Sequence, residues 1–284
     1  MPATPAPLSV QLFSIREQLA ADRAAALTRL AGIGFRHVEP FGLCSPDGSA
    51  AERMAEVRNL RAALDGAGLA VSAVHAGLPA DLGELVDECG VLGADTVFVP
   101  HPHMVSGPVH FDEDTFTVTA GPDGPADLDA FAARLGAAAE ELAAHGLSLG
   151  YHNHWFEWVR LPDGTTAWDR FWSRAGDALR AELDVYWTVA AGADPVAVLT
   201  ALGERTLALH VKDGPAEPWQ PQTPIGTGRV DPDAVLRHVP RSVRWCVTEI
   251  DSTDLDPYEL LAGNARTLVE RGHARWEQDR AHTR

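Results

Sequence analysis

Apolar positions along the chain alternate between two spacings. Short β-rich runs stand at 8–13 (LSVQLF), 35–39 (FRHVE), 70–75 (AVSAVH), 95–99 (DTVFV), 147–152 (LSLGYH), 180–184 (RAELD), 206–211 (TLALHV) and 244–249 (RWCVTE). Between them lie Ala- and Leu-rich stretches of helical pattern at 18–32, 50–66, 81–92, 126–145, 168–178, 194–203, 231–238 and 256–271. Gly and Pro mark the joints, as in Ala31-Gly32-Ile33-Gly34 and Gly66-Ala67-Gly68. Eight strand–helix repeats predict an α/β fold, a single closed parallel (β/α)8 barrel rather than an open doubly wound sheet. The first turn, Ser14-Ile15-Arg16-Glu17, lacks the glycines that bring a pyrophosphate onto a helix, and Gly226-Thr227-Gly228 comes late and lacks the third glycine, so a dinucleotide site is not expected. The barrel domain is expected over 1–271, with a polar, loosely packed tail over 272–284 (GHARWEQDRAHTR). From about 100 to 125 the helical period is missing and Pro, Gly, Asp and Thr dominate. A connection of that length after the fourth strand, at the C-terminal mouth, is expected to form part of a lid.

Composition narrows the function classes. The chain has 284 residues, of which 45% are hydrophobic, enough for a full core. No run of 18 apolar residues occurs, so a membrane span is not expected. The start, MPATPAPLSV, has neither the basic nor the apolar region of a signal peptide, and a cytoplasmic location is the expectation. Three widely spaced cysteines, Cys44, Cys89 and Cys246, do not suggest a disulfide framework or a zinc–thiolate site. The net charge of −17 repels phosphate backbones and anionic lipids, which argues against nucleic-acid and membrane partners. Lys212 is the only lysine among 23 basic residues. Arginine serves everywhere else, so the one lysine is expected to be kept for its own chemistry.

In such a barrel the C-terminal strand ends share one pocket. They carry Glu39, then His75, then His101 and His103, then Tyr151-His152-Asn153-His154 with Glu157, then Asp184 with Tyr186-Trp187, then His210-Val211-Lys212-Asp213, then Glu249 with Asp251. Burying these groups without partners would cost several kcal/mol each. A shared divalent cation removes the cost. Asp184, His210 and Glu249 supply one nitrogen and two carboxylates from three successive strands, and a fourth ligand from the fifth strand would complete the set. The spacings from His152 onward, 32, 26 and 39 residues, give one ligand per βα unit. Mixed imidazole and carboxylate suits Mn, Zn, Co or Fe(II) better than Ca. Taken singly, each residue has a plainer reading: Asp184 as a helix N-cap, His210 as a hydrogen-bonded core histidine, and Glu249 as an ion-pair partner of Arg16 or Lys212. Glu39 and His75 could be rim or core partners. Trp155, Tyr186 and Trp187 could be rim packing or a platform for the apolar face of a sugar.

The segments Gln11–Arg16, Gly34–Glu39, Tyr151–Glu157, Glu182–Trp187, His210–Asp213 and Gly226–Gly228 together resemble the sugar phosphate isomerase/epimerase family, the xylose-isomerase-like TIM barrels, over nearly the whole chain. The resemblance implies a metal held by a glutamate, an aspartate, a histidine and a glutamate on strands five to eight. Asp184, His210 and Glu249 match the last three. The fifth strand reads His152-Asn153-His154, and the simplest alignment puts His152 in the glutamate's place, with His154 the other choice. The expected cofactor is one divalent ion: Mn, Zn, Co, Fe or Mg.

The implied chemistry is proton abstraction beside a carbonyl of a sugar, keto-sugar or polyol derivative, through an enediolate. His154 is the candidate general base, Glu157 the reserve, and Lys212 a binder of substrate oxygen or enediolate. Glu39, His75, His101, Trp155 and Trp187 are expected to line the substrate site. No glycine-rich phosphate cradle stands out, so an unphosphorylated substrate is expected. A dehydratase of inosose dehydratase type would use the same residues. A phosphodiesterase of endonuclease IV type would need more histidine ligands and a basic groove, and a non-catalytic sugar-binding protein would keep the aromatic rim. Assembly into a homo-oligomer is compatible with all of these.

Overall fold

The computed structural model describes residues 5–45, 48–105, 110–112, 117–119 and 125–277, and for 103, 110–112, 117–119 and 125–127 it describes the backbone alone. The strands are β1 (Ala6–Gln11), β2 (His37–Glu39), β3 (Ala70–Val71), β4 (Val74–His75), β5 (Thr96–Val99), β6 (His110–Asp112), β7 (Thr117–Thr119), β8 (Ser148–His152), β9 (Arg180–Asp184), β10 (Thr206–Val211), β11 (Trp245–Thr248) and β12 (Ala274–Arg275). Nine of them form a nearly closed parallel barrel in the order β3-β2-β1-β11-β10-β9-β8-β5-β4. The two ends of that path are halves of the one strand expected over 70–75. Ser72 donates its backbone N–H to Val38 O on one side, and Ala76 donates to Phe98 O on the other, so the ring is completed through this bent stave.

The helices are α1 (Arg16–Ala21), α2 (Arg23–Ile33), α3 (Ala50–Ala67), α4 (Leu82–Leu92), α5 (Pro125–Ala143), α6 (Ala167–Arg174), α7 (Val185–Ala190), α8 (Pro195–Leu202), α9 (Pro232–Leu236) and α10 (Pro257–Glu270). The single helix expected over 18–32 is two, because Asp22 adopts an extended conformation and caps α2 by accepting from Ala25 N. Asp81, Asp184, Asp194, Asp231 and Asp256 cap α4, α7, α8, α9 and α10 in the same way. Part of the acidic excess therefore sits where helix dipoles favour it. Among the described residues no helix is long and apolar enough to cross a membrane.

Strand alternation divides the core in two. Val10, Val97, Leu149, Leu183, Leu209 and Val211 join the large cluster packed with the helices. Ala73, Phe98, Ala208 and Val247 form a small plug inside the barrel. Gly150 makes room for it, since a Cβ there would lie 2.6 Å from the Phe98 ring. Above the plug the interior positions turn polar, and the site begins.

The tail is partly structured. Ala274 and Arg275 pair with Ala6 and Pro7, the Trp276 ring lies 5.6 Å from Phe35, and Glu277 pairs with His37 at 3.0 Å. The expected loose tail thus does not begin at 272, because Ala274 to Glu277 dock onto the barrel; residues 278–284 lie outside the described residues. In the connection expected as a lid, β6 and β7 form an antiparallel pair. The rest of it beyond 105 lies outside the described residues up to α5, and so does the side chain of His103.

Candidate metal centre and active site

Two tiers of polar side chains stand on the plug. The upper tier lies at the strand ends. One donor atom each from His152, Asp184, His210 and Glu249 falls within 4.8 Å of the others, and all four residues are buried. Strand register explains the convergence: β10 sets His210 opposite Asp184 of β9, and Glu249 follows β11 directly. Asp184 is the helix N-cap that its sequence context allowed. Its Oδ1 caps α7 by accepting from Trp187 N at 2.8 Å. Its Oδ2 is buried and faces the Lys212 ammonium at 2.8 Å.

Lys212 occupies the middle of this tier. Its Nζ lies 2.8 Å from Asp184 Oδ2, 2.6 Å from Glu249 Oε2 and 2.6 Å from Asp251 Oδ2. The lysine is 1% exposed, so it is no surface charge. Burial opposes its ionisation, but Asp184, Asp251 and Glu249 outweigh burial and hold the ammonium well above its ordinary pKa. Burial lifts the Asp184 carboxyl to about 7 against the pull of Lys212 and His210. For Glu249 the same burial is overcome by Lys212 and His210, and the carboxyl stays well below its ordinary value. The partner of Glu249 is thus Lys212, whereas Arg16 donates to the backbone oxygens of Phe13 and Asp251.

The lower tier contains a residue that sequence reading did not single out as a site residue, Glu182. It is fully buried, and its Oε2 lies 2.6 Å from His75 Nε2, 3.0 Å from His152 Nδ1 and 3.2 Å from His210 Nε2. Glu39 faces it across the barrel, 2.8 Å from His210 Nε2 and 3.3 Å from His75 Nε2, and accepts from Gln11 Nε2 at 2.9 Å. Glu39 and His75, expected to line the substrate site, are buried against His210 and Glu182 instead. Burial, reinforced by Glu182, raises the Glu39 carboxyl. For Glu182, burial is outweighed by His210 and His75, and the carboxyl is held well below the ordinary range. Burial disfavours charge on His210, but Glu182, Glu249 and Glu39 overcome it and raise the imidazole well above 6.5. His152 stays neutral, since burial takes it down to about 3 despite its bond to Glu182.

The mouth is aromatic. Trp155 and Trp187 rings lie 4.5 Å apart, and Trp219, 75% exposed, meets Trp155 edge-on. His154 stacks on Phe156 at 5.3 Å and lies beside His101 and His152. Its Nδ1 is buried with no hydrogen-bond partner among the described residues. Burial, then His101 and His152, hold its pKa well below the usual imidazole value. Glu157 stands behind it with both oxygens engaged, accepting from Tyr151 OH at 2.8 Å and from His154 N at 3.0 Å. Burial raises its carboxyl to about 7. The Gly226-Thr227-Gly228 turn serves the fold, because Asp213 accepts from the backbone of Gly226, Gly228 and Val230 at 2.8–3.0 Å.

Solved structures share this architecture. A sugar phosphate isomerase/epimerase from Parabacteroides distasonis ATCC 8503 superposes with a TM-score of 0.71 at 22% identity, covering 96% of each chain. The probable 3-DHS dehydratase AsbF of Bacillus anthracis, involved in petrobactin synthesis, gives 0.64 at 16% identity over 93% of this chain and 99% of its own. A xylose isomerase-like TIM barrel protein from Mycobacterium smegmatis in complex with magnesium gives 0.64 at 16% identity over 94% and 97%. No curated protein matches the sequence. The model of one protein family, xylose isomerase-like TIM barrel, matches residues 27–276. With that match over most of its length, the chain belongs to the xylose isomerase-like TIM barrel family.

Proposed function

We propose that the protein is a divalent-metal-dependent isomerase or epimerase that moves a proton next to the carbonyl of a sugar or keto-sugar. The observation that carries this reading is the upper tier, with two imidazoles and two carboxylates converging within 4.8 Å at the barrel mouth. The donor set fits a divalent transition ion or magnesium. Asp184 Oδ2 fits as well, being a buried carboxylate oxygen whose close partner is the Lys212 ammonium, a cation where a metal ion would also sit. A divalent ion held by His152, Asp184, His210 and Glu249 would supply a Lewis acid that makes the proton beside a substrate carbonyl easier to remove.

The chain's own groups do the rest. His154 is neutral near pH 7 and its Nδ1 is uncommitted, so it can accept the proton there. Glu157 holds the His154 backbone in place rather than facing the substrate. Lys212, held against Asp184, Glu249 and Asp251, is the group that can turn to a substrate oxygen once an ion takes those carboxylates. Trp155, half-buried and backed by Trp187, is the ring placed to meet the apolar side of a sugar, and His101 packs beside His154. An unphosphorylated substrate is favoured, because Asp213 already takes the turn amides that could cradle a phosphate.

The test is a panel of keto-sugars incubated with the metal-loaded protein, with products identified by NMR. An epimer or an aldose–ketose isomer is the expected product. A dehydrated product would make the protein a lyase working with the same residues, as the name of the Bacillus anthracis neighbour suggests. Binding of sugars with no turnover across the panel would contradict an enzyme reading.

A further inference from the structure

His152 and His210 each stand between the two tiers. His152 turns Nδ1 down to Glu182 at 3.0 Å and Nε2 up toward Asp184 at 3.8 Å. His210 turns Nε2 down to Glu39 at 2.8 Å and Glu182 at 3.2 Å, and Nδ1 up to Glu249 at 2.8 Å. The two rings thus point opposite nitrogens at the same tier. One strand sets this up, since β9 places Glu182 opposite His152 and, two residues on and facing the same interior, Asp184 opposite His210.

A neutral imidazole has one N–H and one lone pair. A histidine that gives its lone pair to an ion must send its N–H elsewhere, and a carboxylate behind it fixes both the tautomer and the ring. The lower carboxylates are fully buried: Glu39 and Glu182 are each 0% exposed. Among the described residues neither touches lysine or arginine; their partners are His75, His152, His210 and Gln11. They are therefore placed to accept from imidazoles and not to meet substrate. His75 lies between them, 2.6 Å from Glu182 and 3.3 Å from Glu39, and holds the two acids together.

We propose that Glu182 is a positioning residue that, with Glu39, decides which nitrogen each histidine offers the ion: Nε2 from His152 and Nδ1 from His210. This rests on the upper-tier metal reading. It also makes a choice that composition of the site leaves open, because His75, His152, Glu182 and His210 converge within 4.8 Å as a second possible group. An ion in that lower group would use the opposite nitrogens, Nδ1 of His152 and Nε2 of His210.

The experiment uses the full-length protein loaded with Zn²⁺ and labelled with ¹⁵N-histidine. Long-range ¹H–¹⁵N correlation reports which ring nitrogen carries the proton, and competition with a chelating dye reports affinity. The expected result is a proton on His152 Nδ1 and on His210 Nε2. Glu182→Gln keeps the size and removes the charge, and should weaken Zn²⁺ binding about 10–100-fold, with the thermal transition of the metal-free protein showing that the variant is folded. The reverse proton pattern would put the ion in the lower tier and overturn the proposal. Undiminished Zn²⁺ affinity in Glu182→Gln would overturn it while leaving the upper-tier site standing. A wild-type protein that takes no divalent ion would bring down the metal reading and this inference with it.

Discussion

Replacing Lys212 with methionine removes one ammonium and keeps the length of the side chain. The loss leaves Asp184, Glu249 and Asp251 facing each other, each having lain 2.6–2.8 Å from the nitrogen now missing. Breaking a buried charge pair by removing one partner costs about 3–5 kcal/mol. The lower end applies, because the Asp251 side chain is 26% exposed and water can take over part of its solvation. About 3 kcal/mol should lower the melting temperature of the metal-free protein by roughly 6–12 °C. A divalent ion should restore most of this, since ion at 100 times its Kd adds about 2.7 kcal/mol to the folded state. The wild type should gain less, because there the ion competes with the ammonium for the same carboxylates. The assay is thermal unfolding of both proteins with chelator and with Zn²⁺ or Mn²⁺. Equal melting temperatures in chelator would refute the placement of Lys212 among the carboxylates. A variant that metal fails to stabilise would refute the claim that the ion is held by the carboxylates that bind the ammonium.

Asp184→Ala and Glu249→Ala should each leave the purified protein without bound metal, as read by elemental analysis against wild type; full occupancy in either would remove that residue from the ligand set. His154→Ala should slow proton exchange of a substrate about 10²–10⁴-fold with little change in its binding, the range for a lost general base. Glu157 gives a pH signature: its folded-state pKa of about 7 lies above the ordinary 4.5. The folded state holds that proton more tightly, so the contribution to stability is complete below about pH 4.5 and lost as pH rises through about 7. Chemical denaturation of wild type and Glu157→Gln should show the wild-type advantage falling by on the order of 3 kcal/mol across that window, and a flat difference would contradict the buried acid.

The strand ends were legible because each ionisable residue interrupts an apolar run. The expected strands 180–184 and 206–211 coincide with β9 and β10. Glu182 escaped because attention to strand ends passes over the residue two positions earlier. A strand repeats every two residues, so Glu182 shares the interior face with Asp184, and that period was the signal available. The α7 helix was missed because Val185, Tyr186 and Trp187 are β-formers by propensity; the Asp184 cap, and burial of all three side chains, override it. The docked residues 274–277 look polar in sequence, yet Trp276 supplies the anchoring contact on Phe35. Glu39 and His75 were rightly placed at strand ends, but sequence has no depth coordinate. Their burial beside the candidate metal ligands follows from partners on distant strands, His210 and Glu182.

The central claim is proton removal beside a carbonyl, made possible by an ion in the upper tier. Solvent exchange tests it most directly: a turned-over keto-sugar is followed by NMR in D₂O with the metal-loaded protein, after chelation, and after the ion is returned. The account predicts deuterium at the carbon next to the carbonyl, its disappearance with chelator and its return with the ion. Turnover that survives chelation, or that carries no solvent deuterium, would contradict it.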